Sequence, residues 1–171
     1  MAGRKNQKSS TQKRDLKQET TWKNNLFARY ILFRYSLALL FFANIYWIMI
    51  LILSYQLNVI IILPILQLLL IAIAFAEQFT LYGKITVALK WTKLAFLGQI
   101  AVSLIGILLV ILPYQFEQAF PIFSNGLSGK VFVIVLQLLG LGLSQLNIKR
   151  IEQVKNNTDK FYYRFQQTFG K

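Results

Sequence analysis

FARYILFRYSLALLFF, residues 27–42, holds two arginines, Arg29 and Arg34, and then only uncharged residues. The next charged residue along the chain is Glu77. An arginine at the centre of a membrane helix costs about 2.5–3.5 kcal/mol on insertion scales. At a helix end, its stem covers apolar surface while its head reaches the lipid phosphates. The stretch therefore predicts the point at which the chain enters a lipid bilayer.

Four apolar runs follow, each about as long as a helix needs to cross a hydrocarbon layer of about 30 Å. Backbone groups in lipid must be hydrogen-bonded within the chain, and the alternation typical of a membrane β-strand is missing. We therefore predict an all-α integral membrane protein with four transmembrane helices in a bundle. The spans are expected at about 35–54, 59–76, 94–112 and 131–147, within a domain of residues 22–146.

The composition supports this class and excludes several kinds of chemistry. With 56% hydrophobic residues, the chain has more apolar surface than a soluble domain accommodates. It has no cysteine and no histidine, which excludes disulfides, thiolate nucleophiles and imidazole acid–base catalysis. The net charge of +13 is expected to serve contact with anionic lipid rather than nucleic acid. No enzymatic activity, cofactor or metal site is expected.

The distribution of Lys and Arg predicts the orientation. Residues 1–34 hold nine, the turn at 55–58 none, the linker at 77–93 three, the loop at 113–130 one, and the segment from Asn147 onward six. Four spans put the first, third and fifth segments on one side, which gives 18 of these residues against 1. The positive-inside rule then places both termini in the cytoplasm. The residues expected at lipid headgroups are Arg29, Arg34, Lys90, Lys93, Lys149 and Arg150.

Both terminal segments are predicted to lie outside the bilayer. Residues 1–21 are basic and lack an apolar period, so we expect a disordered tail. Residues 22–34 carry an apolar helical stripe, which is compatible with a helix in the membrane interface or with an extension of the first span. Residues 147–171 are expected to form an amphipathic cytoplasmic segment.

Five amides interrupt the predicted spans: Asn44, Gln67, Gln99, Gln137 and Gln145. Asn44 and Gln67 lie at similar distances from the turn at 55–58, so we expect them at the same depth and within hydrogen-bonding reach. Such amides line a polar path or substrate pocket, or they hold helices together at about 0.6–2 kcal/mol per bond. The second role is favoured, because the spans contain no ionisable residue in their interiors.

Small residues mark faces that permit close helix packing. In the third span, Ala95, Ser103 and Gly106 share a face with Gln99. In the fourth, Gly140 and Ser144 share a face with Gln137. Packing of the third helix on the fourth is favoured over contact with another subunit.

Two aromatic groups are candidates for a partner surface. The outer loop at 113–130 carries one and the C-terminal segment the other; they are Phe116, Phe120 and Phe123, and Phe161, Phe165 and Phe169. The outer rings can instead lie in the membrane interface, as aromatic residues often do.

These features together favour a non-enzymatic accessory, scaffolding or regulatory subunit of a larger membrane complex, such as a transporter or envelope machinery. Its expected partners are anionic lipid on the cytoplasmic face and a membrane protein, or further copies of itself. Two alternatives stay open: a small oligomeric channel or carrier for neutral or apolar solutes, and an immunity or stress protein acting at the membrane. The residue usage is compatible with a bacterial plasma membrane.

Overall fold

The described part of the chain is helical. The computed structural model describes the backbone of residues 2–54, 59–80, 88–160 and 163. Side chains are described at residues 20 and 21, and at all of these positions from residue 30 onward except residue 113. Its helices are α1 (Ala2–Leu53), α2 (Ile62–Thr80, preceded by the 3-10 turn Val59–Ile61), α3 (Lys90–Ile111), α4 (Pro113–Ala119) and α5 (Leu127–Lys155). No strand occurs among these residues.

Four stretches of helix are long and apolar enough to cross a membrane. They are Tyr30–Leu53, Val59–Thr80, Lys90–Ile111 and Leu127–Lys155. Each exceeds the roughly 20 residues that a helix needs to cross the hydrocarbon layer. The predicted all-helical class with four helices of spanning length is therefore confirmed for the described residues.

The helices extend beyond the predicted spans. α2 continues past residue 76 to Thr80, and α3 begins at Lys90 rather than at 94. α5 begins at Leu127 rather than at 131 and continues past 147 to Lys155, close to the left-handed Asn157. Hydropathy marks only the lipid-compatible part of a helix, whereas its ends depend on caps and backbone breaks.

The first helix corrects the predicted boundary of the N-terminal segment. α1 begins at Ala2, where the sequence suggested a disordered tail over residues 1–21. This segment contains no proline, its single glycine is Gly3, and Lys, Arg, Gln and Glu are frequent in it. These residues have good helix propensity, so nothing stops the helix from extending backwards. Residues 22–34 likewise continue α1 without a break and form no separate interfacial helix.

α3 packs against both α2 and α5, while α1 packs against α2 and, over a shorter length, against α5. We call the end that carries Arg34, Lys93 and Lys149 the basic end, and the opposite end, beside α4, the α4 end. Two apolar clusters stabilise these ends. The first, at the basic end, includes Phe33, Leu37, Ala74, Phe96 and Ile151; the second, at the α4 end, includes Val110, Phe116, Phe120 and Val133.

α4 corrects the prediction of an exposed loop and partner surface over 113–130. Phe116 and Phe120 are only 0% and 7% exposed, and Phe123 is half-buried. The spacing of four residues puts Phe116 and Phe120 on one face of a helical turn, which folds back onto the apolar helix ends. Trp47 of α1 stacks on Phe120 with ring centroids 5.4 Å apart, and its Nε1 donates to the carbonyl of Ala119 at 2.8 Å. Phe116 and Phe120 are therefore core residues.

Candidate functional site

The polar side chains buried among the four long helices are the candidate site. Nine of them lie in these helices: Ser36, Asn44, Gln67, Gln78, Thr92, Gln99, Ser103, Ser144 and Asn147. A polar group buried without water must find its hydrogen bonds inside the protein. Their partners therefore show what this interior does.

Asn44 and Gln67 do not form the predicted pair. The Nδ2 of Asn44 donates to the carbonyl of Leu40 in its own helix, at 2.7 Å. The Nε2 of Gln67 donates instead across the α2–α3 contact to the carbonyl of Ala95, at 3.0 Å. Gln67 thus joins two helices, and Asn44 bonds within α1.

The small-residue faces of α3 and α5 meet each other. A Cβ added to Gly106 would lie 2.8 Å from the side-chain amide of Gln137, and one added to Gly140 would lie 3.1 Å from Ser103 Oγ. Ala95 and Ser144 are also buried, Ala95 on the side of α3 that receives the bond from Gln67. Glycine at these positions therefore allows α3 and α5 to approach closely, as the predicted packing requires.

Gln99 and Gln145 differ in their surroundings. Gln99 is buried, and its Nε2 donates to Ser103 Oγ one turn further along α3, at 3.3 Å. Gln145 is exposed on α5, and its side chain makes no hydrogen bond within the described part of the chain. Gln145 was predicted as an interhelical contact, and the structure places it on the outside. The depth of a residue along a helix does not determine which way its side chain points.

A hydrogen-bonded network at the basic end connects α1, α2 and α3. Glu77 accepts the backbone N–H groups of Trp91 and Thr92 at 3.2 and 2.7 Å, and the hydroxyl of Thr92 at 2.7 Å. Gln78 Nε2 donates to the same hydroxyl at 2.9 Å, and the Arg34 guanidinium donates to the backbone carbonyl of Gln78 at 3.3 Å. The carboxylate of Glu77 thus caps the first turn of α3 from a neighbouring helix.

The sequence interpretation did not single out Gln78, Thr92, Ser36 or Asn147. Asn147 Nδ2 donates to Ser36 Oγ at 2.9 Å and joins α5 to α1. A signal for Gln78 exists, because the buried residues of α2 are Pro64, Gln67, Ile71, Ala74 and Gln78, which are spaced three or four apart. Extending the stripe from Gln67 would have placed Gln78 on the same face.

The residues expected at lipid headgroups lie at the basic end. Lys90 and Lys149 are exposed, while Arg34 and Arg150 are half-buried. Lys93 forms an exposed ion pair with Glu152 at 3.3 Å. The side chains of Arg29, Phe161, Phe165 and Phe169 lie outside the described residues. Contact with lipid stays a prediction for all six basic residues.

The described interior offers hydrogen-bonding groups rather than reactive ones. No group of three or more His, Cys, Asp or Glu side chains that could hold a metal occurs within the described residues. Glu77 caps α3, Glu117 accepts from Asn125 Nδ2 at 2.9 Å, and Glu152 pairs with Lys93. The buried polar groups therefore act mainly on one another and on the helix backbones.

Comparisons of the chain with models of known protein families, with curated proteins and with solved structures return no match. Its function is therefore inferred from its own residues.

Proposed function

We propose that this chain is a non-enzymatic multi-pass membrane protein and an accessory subunit of a larger complex in a bacterial plasma membrane, with both termini in the cytoplasm. The distribution of charge supports this orientation. Lys and Arg of the described helices gather at the basic end, and Lys130 lies near the α4 end. The exposed Lys90 and Lys149 at the basic end suit the anionic inner leaflet, worth about 1 kcal/mol per basic residue near the surface.

The outer face of α5 is the observation on which the accessory role rests. Gly142 is exposed and has no atom within 4 Å of an added Cβ, and the amide of Gln145 is exposed less than one turn away. The neighbours on this face, such as Leu138 and Leu146, are exposed and apolar. In a bilayer the apolar part of this face meets lipid, and the Gln145 amide, four residues before Lys149, lies at the inner edge of the hydrocarbon layer, where headgroups, water or a neighbouring helix can bond it.

A second membrane helix satisfies both features of this face. Gly142 permits close backbone approach, and the Gln145 amide can both donate to and accept from a polar side chain on the partner. We therefore propose that the partner is a larger membrane protein that presents a helix with a small residue opposite Gly142 and a hydroxyl or amide opposite Gln145. The interior polar groups support a structural role, because they connect the chain's own helices.

Purification in mild detergent tests this role. The wild-type chain is expected to co-purify with a stoichiometric larger membrane protein. One interhelical hydrogen bond is worth about 0.6–2 kcal/mol, so Gln145→Leu should weaken the association about 3- to 30-fold. Gly142→Leu should weaken it at least as much, because the leucine blocks close approach.

The matched control is Ala101→Leu, which likewise introduces a leucine, at an exposed position of α3. This variant should keep the partner. Equal loss in all three variants would show that the α5 face is not the contact. A pure homo-oligomer that conducts solutes in liposomes would replace the accessory role with a channel.

A further inference from the structure

Four of the five buried amides in the described part of the chain share one feature: their NH₂ groups are bonded and their oxygens are not. Gln67 donates to Ala95 and Gln99 donates to Ser103, as described above. The buried oxygens left without a hydrogen bond include Gln67 Oε1, Gln78 Oε1, Gln99 Oε1, Asn147 Oδ1 and Ser144 Oγ. A buried polar atom without a partner costs about 1–3 kcal/mol. These four amide oxygens therefore lack donors within reach, and the Ser144 hydroxyl, which can donate as well as accept, has no partner either.

Three of these oxygens lie at one level of the molecule. Gln67 Oε1 faces Gly98, since a Cβ added there would lie 2.7 Å away, and Gly98 directly precedes Gln99. α3 and α5 are antiparallel, and Gly106 meets Gln137 while Ser103 meets Gly140. One further turn in the same register brings Gln99 opposite Ser144. We call Gln67, Gln99 and Ser144 the donor-poor layer.

The donor-poor layer lies inside the spans, toward their basic end. Gln99 is the tenth residue of the 22-residue α3, and Gln67 the ninth of the 22-residue stretch Val59–Thr80. At 1.5 Å per residue, both are about 12–15 Å from the helix end that is nearer along the chain. All three side chains are more than nine-tenths buried. Lys93 and Lys149 are six residues from Gln99 and five from Ser144, roughly 8–9 Å along the helices, so groups at the basic end do not reach these buried atoms directly.

We propose that the donor-poor layer is a binding site for internal water. One water donates to Gln99 Oε1 and Ser144 Oγ across the α3–α5 contact, and a second donates to Gln67 Oε1. Water fits this role because it brings two donors, and buried waters typically make about three hydrogen bonds.

The charges around the layer favour water over a cation. Among the described side chains, Glu77, Glu152 and Asp159 lie at the basic end and Glu117 lies in α4, so no carboxylate faces the layer. A cation held only by neutral oxygens at this depth would stay uncompensated, which is costly in a medium of low dielectric constant. The site faces inward, whereas Gly142 and Gln145 face outward, so it does not depend on the proposed accessory role.

Nuclear magnetic resonance of the full chain in detergent micelles tests the proposal, with ¹⁵N-labelled glutamine reporting on the side-chain amides. The signals are assigned with the variants Gln67→Leu and Gln99→Leu, each of which removes the pair of NH₂ proton signals of one glutamine. The Nε2 protons of Gln67 and Gln99 should show cross-relaxation with water. Absence of water contact in the wild type, with amide protons that persist for days in D₂O, would show a dry interior and overturn the proposal.

Ser144→Val isolates the bridging water, because it removes one acceptor and fills the space. The water signal at Gln99 should fall at least about tenfold, and protection of its Nε2 protons should rise accordingly. Gly142→Ala, on the outer face of the same helix, should leave the signal unchanged. An unchanged signal in Ser144→Val would place the water elsewhere and overturn the bridge.

A comparison of salts tests whether the layer binds an alkali cation instead of water. Thermal unfolding of the wild type should be the same in NaCl, KCl and choline chloride at equal ionic strength. A rise in Tm with sodium or potassium alone would identify an alkali-cation site and overturn the assignment to water.

Discussion

At the start of α5, Gly129 approaches the backbone of Ser124 so closely that a Cβ added there would overlap the Ser124 carbonyl oxygen. A carbonyl of the main chain cannot rotate away as the end of a side chain can, so the turn and the helix must shift. We expect Gly129→Ala to lower the free energy of unfolding by about 1–3 kcal/mol, the usual cost of overpacking. Thermal unfolding in detergent measures the change.

Gly126→Ala is the matched control, three residues earlier in the same turn. Its added Cβ would have Ser124 Oγ at 3.7 Å as its nearest contact, and its φ of −81° suits any residue. Its Tm should stay close to that of the wild type. An equal loss in both variants would mean that backbone entropy, rather than the contact with Ser124, requires glycine here.

The amides show what single residues reveal in a sequence and what they do not. Spacing identified the faces on which Ser103, Gly106, Gly140 and Gln137 meet, because helical periodicity fixes angular position within one helix. The Asn44–Gln67 pair failed because counting from a turn gives depth but not rotation about the helix axis. A short amide can also satisfy itself on its own helix one turn back, as Asn44 does on Leu40.

At the scale of elements, α3 depends on α2 for its N-terminal cap. The residue at its N-cap is the buried Leu89, with φ 39°, whose side chain offers no hydrogen bond, and Glu77 supplies the acceptors instead. Loss of an N-cap typically costs about 0.5–2 kcal/mol. We expect Glu77→Ala to destabilise the chain by this amount and to speed amide hydrogen exchange at Trp91 and Thr92.

Glu152→Ala provides the control for this prediction. It removes one carboxylate from an exposed ion pair with Lys93, worth about 0–1 kcal/mol. Exchange at Trp91 and Thr92 should then match the wild type. If Glu77→Ala leaves the exchange of these two amides unchanged, the carboxylate is not the cap.

α4 was missed because hydropathy treats a segment as a whole. Pro113, Glu117 and Lys130, together with two glycines, lower the apolar character of 113–130 and indicate a loop. The signal for α4 was local: proline at the first helical position, followed by Phe116 and Phe120 four residues apart. The four long helices were predictable because each must present apolar side chains over some twenty consecutive residues to cross the hydrocarbon layer.

At the scale of the whole molecule, the ends of the helices are chemically distinct. The basic end combines the Arg34–Gln78–Thr92–Glu77 network with exposed lysines, while the α4 end is closed by Phe120, which stacks on Trp47. α1 also continues for 28 residues before its candidate span begins at Tyr30. At 1.5 Å per residue this part of α1 is about 42 Å long. It carries most of the basic residues of the N-terminal segment and extends the charge asymmetry of the molecule.

Orientation in the membrane follows from that asymmetry and can be measured directly, because a chain without cysteine reports every introduced thiol alone. Ser124 lies at the α4 end and Thr158 beyond the basic end of α5, and both are exposed. The positive-inside rule puts the α4 end outside the cell. A membrane-impermeant maleimide should therefore label Ser124→Cys in intact cells and Thr158→Cys only after permeabilisation. Labelling of Thr158→Cys in intact cells would reverse the orientation. Labelling of both variants from outside would require an even number of crossings between them, against the single crossing by α5.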